Sequence, residues 1–257
     1  MSDVEEKQRD LLIILIALAL FASGFFASQL LGLAKGEGFF GNPNLPPIDA
    51  AGQTASVNIV AVTSQGGGEV SKGVVELRPG KGRVLINTNP FVEPDTQYSF
   101  ETASHVAEGV TGKSLKNTDV IFTVEESKAK LVGGPSAGAA FTVATIAAVQ
   151  GKKIREDAAI TGTIDKTGLI GPIGGVLEKM VAFGELGGKL FLVPKGQGTV
   201  NYLTEEPAGE ARQGPYVIKR FKMTAKVLNL NDYAQEHFGM KVVEVAHIDD
   251  AVGLLIQ

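Results

Sequence analysis

The spacing of hydrophobic residues divides the chain into an N-terminal apolar segment and a longer mixed region. Residues 11–34 are almost all apolar and carry no charge. A helix of this length covers about 36 Å, which is enough to cross a bilayer core of ~30 Å. Soluble helices seldom stay uncharged on every face over such a length. The pattern predicts a single transmembrane anchor over 11–34 after a tail of residues 1–10. A cleaved signal peptide is the alternative, which the acidic tail and the long apolar run disfavour.

The residues that flank the predicted anchor suggest its orientation and its connection to the rest of the chain. Lys7 and Arg9 precede the apolar run, whereas Lys35 alone follows closely. This small bias favours an N-terminal tail inside and a domain on the extracytoplasmic side of the membrane. Residues 35–54 are rich in Gly, Pro and Asn, which is typical of a linker. We therefore expect one folded domain over 55–257.

Within 55–257, strand-like and helix-like spacings alternate without a strict βαβ rhythm, which indicates an α+β fold. Asp95 is the expected N-cap of the first helix and Gly112 its C-terminal stop. A second helix is expected from Ser136 to Gln150, and a turn at 165–168 joins a short hairpin. Residues 196–232 look polar and irregular, with a possible hairpin around VIKRFKMTAKV. The other expected elements are strands near 55–63, 73–78, 82–88 and 119–124, a helix over VLEKMVAFGEL, a strand over KLFLVP, and a C-terminal strand and helix capped near Asp249.

Composition excludes several classes of function. The formal net charge is −4 and the chain has no Lys/Arg run, which argues against nucleic-acid binding. The chain has no cysteine, so disulfides, thiolate catalysis and Cys-ligated zinc are excluded.

The segment LVGGPSAGAA at 131–140 is the first candidate for chemistry. Pro135 fixes the backbone and Ser136 opens a helix, whose free N–H groups and partial positive charge suit an oxyanion. Gly133 and Gly134 allow close approach of a substrate backbone, and Ala137 belongs to the same candidate oxyanion segment. The alternative is that Ser136 only caps the helix.

Lys179 is the candidate base for this serine. On the helix VLEKMVAF it shares one face with Val176, Met180 and Phe183 by the i, i+3, i+4, i+7 rule. A lysine buried among such residues has a lowered pKa and acts as a general base in its neutral form. The alternative is a lysine at the edge of the face that extends its ammonium into water.

Three other motifs carry weaker signals. GPSAG at 134–138 fits the G-x-S-x-G elbow of α/β-hydrolases, which would use Asp232 with His237 or His247. Residues 107–114 loosely match a phosphate-binding loop, but the expected order of helix and strand is reversed. His247, Asp249 and Asp250 could suggest a metal, although two acids at a helix start usually stabilise its N-terminus.

Taken together, GGPSAG at 133–138, AITGTID at 159–165 and GPIGGVLEKMVAF at 171–183 resemble the proteolytic domain of the Lon family. The resemblance implies a Ser-Lys dyad with Ser136 as nucleophile, Lys179 as base, and Thr161 hydrogen-bonded near the lysine. Many Lon domains have an acid three residues before the serine, where this chain has Gly133. That difference leaves an acidic third catalytic member in doubt.

The resemblance also implies how the protein works as a whole. The chain is similar to stand-alone, membrane-anchored Lon-like peptidases of archaea, which lack the ATPase module of Lon proper. We therefore expect a membrane-anchored, ATP-independent serine endopeptidase that acts on unfolded polypeptides or peptides without cofactor, metal or nucleotide. Lon domains often form hexameric rings, so a homo-oligomer is expected. An insertion relative to Lon is expected at about 196–238. The alternatives are an inactive peptide-binding module on the same fold and an α/β-hydrolase-type esterase.

Overall fold

A computed structural model describes residues 45–48, 52–125, 127, 129–213 and 216–257. The predicted tail and anchor lie outside these residues, as does most of the predicted linker. Among the described residues, no helix has the length and apolar character needed to cross a membrane.

The domain is built on a seven-stranded mixed sheet. In chain order its strands are β1 (Thr54–Val62), β2 (Gly68–Pro79), β3 (Val84–Ile86), β5 (Thr118–Glu125), β7 (Ala158–Ile160), β10 (Leu190–Pro194) and β13 (Lys241–Val245). The spatial order is β13-β10-β7-β1-β2-β5-β3. Strand β2 pairs antiparallel with β1 and β5, whereas β1, β7, β10 and β13 form a parallel half.

Among the described residues, three further strand pairs lie outside this sheet. Strands β4 (Phe91–Val92) and β6 (Leu131–Val132) are parallel, and β8 (Thr163–Ile164) and β9 (Ile170–Gly171) form the expected short hairpin. Strands β11 (Thr199–Gln213) and β12 (Tyr216–Asn229) form a long antiparallel ribbon.

In the part of the chain that the structure describes, five α-helices cover both faces of the sheet. They are α1 (Pro94–Thr111), α2 (Gly138–Gln150), α3 (Val176–Glu185), α4 (Leu230–Phe238) and α5 (Ile248–Leu255). Along β10, Leu190 and Leu192 pack into the core under α1, α2 and α5, whereas Phe191 and Val193 pack into the core under α3 and α4. This alternation follows from the period of two in a strand, and it makes the fold a three-layer sandwich with mixed α and β content, as expected.

Helix α2 is buried on every side from Gly138 to Val149. Its Phe141 packs edge-on against Phe100 and Phe122, with ring centroids 4.6 and 5.5 Å apart. Gly73 of β2 leaves the space for this ring, since a Cβ at Gly73 would lie 2.9 Å from it. Small residues elsewhere on α2 let its neighbours approach equally closely.

Two predicted helix starts were wrong. Helix α1 begins at Pro94 with Glu93 at the N-cap position, so Asp95 lies in the first turn instead of capping the helix. Ser136 lies in a short 3₁₀ turn, Pro135–Ala137, and the regular α-helix begins at Gly138. The predicted helix ends are confirmed, because Gly112 and Gly151 both adopt the left-handed conformation.

The prediction for residues 196–232 was also wrong. The segment VIKRFKMTAKV lies within one strand, β12, whose partner is β11. Proline and glycine often end a strand, but between Pro207 and Gly209 the register shifts and pairing continues beyond them. Residues 230–232, which were expected to be irregular, form the start of helix α4.

Candidate active site

Ser136 and Lys179 meet beyond the end of β7, although their helices lie on opposite faces of the sheet. Lys179 Nζ is 2.8 Å from Ser136 Oγ. Thr161 directly follows β7 and is buried; its Oγ1 lies 3.4 Å from Lys179 Nζ and donates to the carbonyl of Ser136 at 3.2 Å. Three segments distant in sequence therefore converge on one amine.

Lys179 is buried because α3 packs directly on the backbone of β2. A Cβ at Gly68, the first residue of β2, would lie 2.4 Å from the carbonyl oxygen of Glu178 and 2.6 Å from Ala182 Cβ. The residue before the helix, Gly175, has a φ of 67°, and a Cβ there would lie 2.2 Å from Val62. These glycines allow the first turn of α3 to seat against β1 and β2, which holds Lys179 inward.

The predicted face of α3 is confirmed. Val176, Lys179, Met180 and Phe183 are all buried, and the side chain of Lys179 does not extend into water, since the residue is only 3% exposed. Burial lowers the pKa of Lys179 from its ordinary 10.5 to about 8, because the charged ammonium loses hydration. A substantial fraction of Lys179 is therefore neutral just above neutral pH.

The turn that carries Ser136 is held from both sides. Gly134 has a φ of 87°, which a residue with a side chain adopts only under strain, and its carbonyl accepts a hydrogen bond from Thr96 Oγ1 at 2.9 Å. On the other side Gly162 N donates to the carbonyl of Ser136 at 2.9 Å. The N–H groups of Ser136 and Ala137 belong to the first turn, where a helix supplies them no acceptor of its own.

Gly133 lies next to the carboxylate of Glu93, a contact that the sequence did not predict. A Cβ at Gly133 would lie 2.0 Å from Glu93 Oε2, so the Glu93 side chain occupies the space that a side chain at 133 would need. The backbone N–H of Glu93 donates to Val132 O at 3.0 Å, which fixes the start of α1 beside this loop. Neither Glu93 nor Thr96 could be found from local sequence, because only the β4–β6 pairing brings them to the serine.

A cleft of about 660 Å³ opens beside Ser136. One wall is formed by the end of β1 and the start of β2, and the other by the segment from Ala129 to Ala137. The lining is largely apolar and includes the side chains of Ile59, Val62, Val124, Leu131 and Val132. The cleft can therefore receive an extended segment with apolar side chains next to Ser136.

The residues of the competing motifs are not placed for the chemistry that those motifs would require. His247 Nε2 lies 2.8 Å from the carbonyl of Thr167, and His237 Nδ1 lies 2.9 Å from that of Tyr233, so neither ring is placed as a base for Ser136. The stretch 107–114 spans the end of α1 and the loop that follows it, the reverse of a phosphate-binding loop. His247 is the N-cap of α5 and accepts from Asp249 N, and the described residues contain no cluster of three or more His, Asp or Glu suited to a metal.

The chain is similar to Lon proteases. Residues 48–208 match the model of the Lon protease (S16) C-terminal proteolytic domain. The chain is 33% identical to a Lon protease of Phenylobacterium zucineum over 132 residues, which is 50% of this chain and 16% of the relative. It is 31% identical to a Lon protease of Clostridium acetobutylicum over 152 residues, 58% of this chain and 19% of the relative.

The chain therefore belongs to the Lon protease family, within which it corresponds to the C-terminal proteolytic domain. The matched region is less than a fifth of the length of these two relatives.

The buried amine predicts a dependence of stability on pH. Between pH 8 and 10.5 the unfolded chain binds a proton at Lys179 that the folded chain does not, so stability rises with pH across this window. The cost of burying the charged amine is fully present below pH 8 and absent above 10.5. We expect Lys179→Met to raise the free energy of unfolding at pH 7 by about 1–3 kcal/mol, with the advantage shrinking towards pH 10.5. Urea unfolding at a series of pH values measures this difference.

Lys152→Met is the matched control, because Lys152 is exposed. A stability difference for Lys179→Met that is constant from pH 7 to 10.5 would contradict the lowered pKa.

Proposed function

We propose that the chain is a membrane-tethered serine endopeptidase that cleaves unfolded polypeptides and peptides without ATP. The proposal depends on one observation: the buried amine nitrogen of Lys179, Nζ, lies 2.8 Å from Ser136 Oγ. The family assignment supports peptide-bond cleavage as the reaction class.

Neutral Lys179 acts as the general base in the acylation step. Its lone pair accepts the proton of Ser136 Oγ while that oxygen attacks the carbonyl carbon of the scissile bond. One N–H of the same amine donates to Thr161 Oγ1, which keeps the lone pair directed at the serine. The ammonium then returns its proton to the leaving amine, and the acyl group remains on Ser136.

The backbone N–H groups at the start of the Ser136 turn stabilise the negative oxygen of the tetrahedral intermediate. The N–H of Ala137 is the candidate donor, and the helix that follows adds a partial positive charge. Gly134 lets the substrate backbone approach, since nothing lies within 4 Å of the place its side chain would take, whereas at Gly133 that space is occupied by Glu93. In deacylation neutral Lys179 takes a proton from a water molecule as the water attacks the ester. The ammonium then returns this proton to the departing Ser136 Oγ, which restores both residues.

The proposed substrates follow from the cleft. Its apolar walls suit an extended segment with an apolar side chain beside the scissile bond, and folded proteins rarely present such segments. Independence from ATP is proposed from the resemblance to stand-alone Lon-like peptidases, which lack the ATPase module. The homo-oligomer that the resemblance implies also remains a prediction.

The dyad is tested with the full chain in detergent micelles and a fluorescently labelled unfolded protein, with and without ATP. Wild type is expected to degrade the substrate at the same rate in both conditions. Ser136→Ala and Lys179→Ala are each expected to lose about 10³-fold or more in rate, because the nucleophile and its base act as a unit.

His247→Ala is the control variant, because the hydrolase alternative requires a histidine. Loss of activity in His247→Ala with retention in Lys179→Ala would overturn the dyad. Inactive wild type that still binds the unfolded protein would favour the alternative of a peptide-binding module.

The lowered pKa predicts the pH dependence of the rate. Because only neutral Lys179 accepts the serine proton, kcat/KM for a short peptide should rise about tenfold per pH unit below pH 8 and level off above it. Steady-state hydrolysis between pH 6 and 10 measures this profile. A rate that is constant below pH 8, or that falls through pH 8 as the pH rises, would exclude Lys179 as the base.

The membrane tether is proposed from the apolar sequence of residues 11–34 alone. After expression, the full chain should stay in the membrane pellet on extraction with alkaline carbonate, whereas a chain lacking residues 1–50 should enter the supernatant. Protease added to sealed vesicles then reports which side carries the domain. Release of the full chain by carbonate would refute the anchor.

A further inference from the structure

Lys179 lies in the first turn of α3, at the end of the helix where the backbone is held least firmly. Its N–H donates to Gly175 O at 3.1 Å, a bond that closes this turn. The N-cap residue, Gly175, has no side chain that could accept a hydrogen bond from the first turn. The position of the amine therefore depends on how firmly the loop before α3 is held.

The loop before α3 is bound by the carboxamide of a residue distant in sequence. Gln197 Oε1 accepts a hydrogen bond from Ile173 N at 2.9 Å, and Gln197 Nε2 donates to Ile173 O at 2.7 Å. One side chain thus satisfies both backbone groups of Ile173, which lies two residues before the N-cap. The side chain of Ile173 packs beside the core under α3 and α4. Both parts of this residue are therefore fixed.

Gln197 is itself held by the central sheet. Its N–H donates to Pro194 O, at the end of β10, at 3.0 Å. Glu244 Oε1, on the neighbouring strand β13, accepts from Gly196 N at 2.8 Å and from Gly198 N at 2.7 Å. Hydrogen bonds to a carboxylate are stronger than those between neutral groups. The turn that presents the carboxamide is therefore anchored to two paired strands.

We propose that Gln197 is a positioning residue for the peptidase reaction, which holds the loop before α3 so that Lys179 Nζ stays beside Ser136 Oγ. This inference rests on the proposed function, in which Lys179 is the general base. Without the carboxamide, the two backbone groups of Ile173 would turn to water, and the first turn of α3 would open more often. Each opening would separate the amine from the serine and admit water to it.

The pKa of Lys179 distinguishes this role from a purely structural one. Burial lowers that pKa, and the hydrogen-bond partners of the amine, the hydroxyls of Ser136 and Thr161, carry no charge. Water admitted to the amine would therefore raise the pKa towards its ordinary value. A glutamine that only stabilised the fold would change the free energy of unfolding and leave this pKa where it is.

Gln197→Met tests the role, because methionine is similar in length and makes neither hydrogen bond. Gln213→Met is the matched control, since Gln213 is exposed at the distal end of the β11–β12 ribbon. Hydrolysis of a short peptide is followed between pH 6 and 10 with the full chain in detergent micelles. We expect kcat/KM of Gln197→Met to fall about tenfold or more at pH 7 but at most about threefold at pH 10, and Gln213→Met to match wild type.

Competitive labelling with acetic anhydride measures the same pKa without relying on activity. The labelling of Lys179 is read by mass spectrometry across the alkaline pH range, with the exposed Lys152 as internal reference. We expect the midpoint for Lys179 to lie about one pH unit higher in Gln197→Met than in wild type or Gln213→Met. An unchanged midpoint, or a loss of kcat/KM that is equal at pH 7 and pH 10, would overturn the positioning role.

The labelling experiment also separates this inference from the proposed function. Inactive wild type with a raised midpoint in Gln197→Met would refute the peptidase activity and still show that Gln197 holds Lys179. Circular dichroism checks that each variant folds. If Gln197→Met does not fold, Gln197→Asn takes its place, because its carboxamide is one methylene too short to reach both backbone groups of Ile173. An unchanged Lys179 midpoint in Gln197→Asn would equally overturn the inference.

Discussion

The site depends on the removal of one amine from water. Lys179 loses its hydration because α3 lies directly on the backbone of β2, where Gly68 allows a contact that any side chain would prevent. Desolvation lowers the pKa of Lys179, so part of its population is neutral near neutral pH. The same desolvation destabilises the fold while the amine is charged. Reactivity and instability at this position thus have a single physical origin.

The sheet explains how two helices from opposite layers share a site. Strand β7 has only three residues, Ala158–Ile160, and Thr161 lies just past its end. Beyond that point β7 no longer separates the two layers, so Ser136, just before α2, and Lys179, on the inner face of α3, come within hydrogen-bond distance. Thr161 fills the gap and contacts both partners, which fixes the amine relative to the serine.

Features that depend on local spacing were predictable from the sequence. The buried face of α3 followed from the helical period, and the ends of α1 and α2 followed from Gly112 and Gly151. The pairing of Ser136 with Lys179 needed the family resemblance, because no local pattern specifies a contact between residues so far apart. The N-cap of α1 was predicted wrongly because Pro94 suits the first helical position, so the helix begins before Asp95.

Features that depend on tertiary pairing were not predictable. Glu93 approaches Gly133 only because β4 pairs with β6, and each of these strands has two residues. The ribbon was missed because residues 196–232 look polar and irregular in the sequence. Strand β11 also contains Pro207 and Gly209, residue types that usually end a strand. Here a register shift accommodates them on an edge strand, where a missing N–H costs little.

The burial of α2 on every side has a consequence for how this protein can vary. A helix with one solvent face tolerates polar substitutions on that face, but from Gly138 to Val149 there is no such face. Any added charge would be buried, and any added volume would press on a neighbouring ring or strand. Ser136 is thus attached to a segment with little freedom to accept mutations. Sequence change in this protein is expected to accumulate in the ribbon and loops long before it reaches the helix behind Ser136.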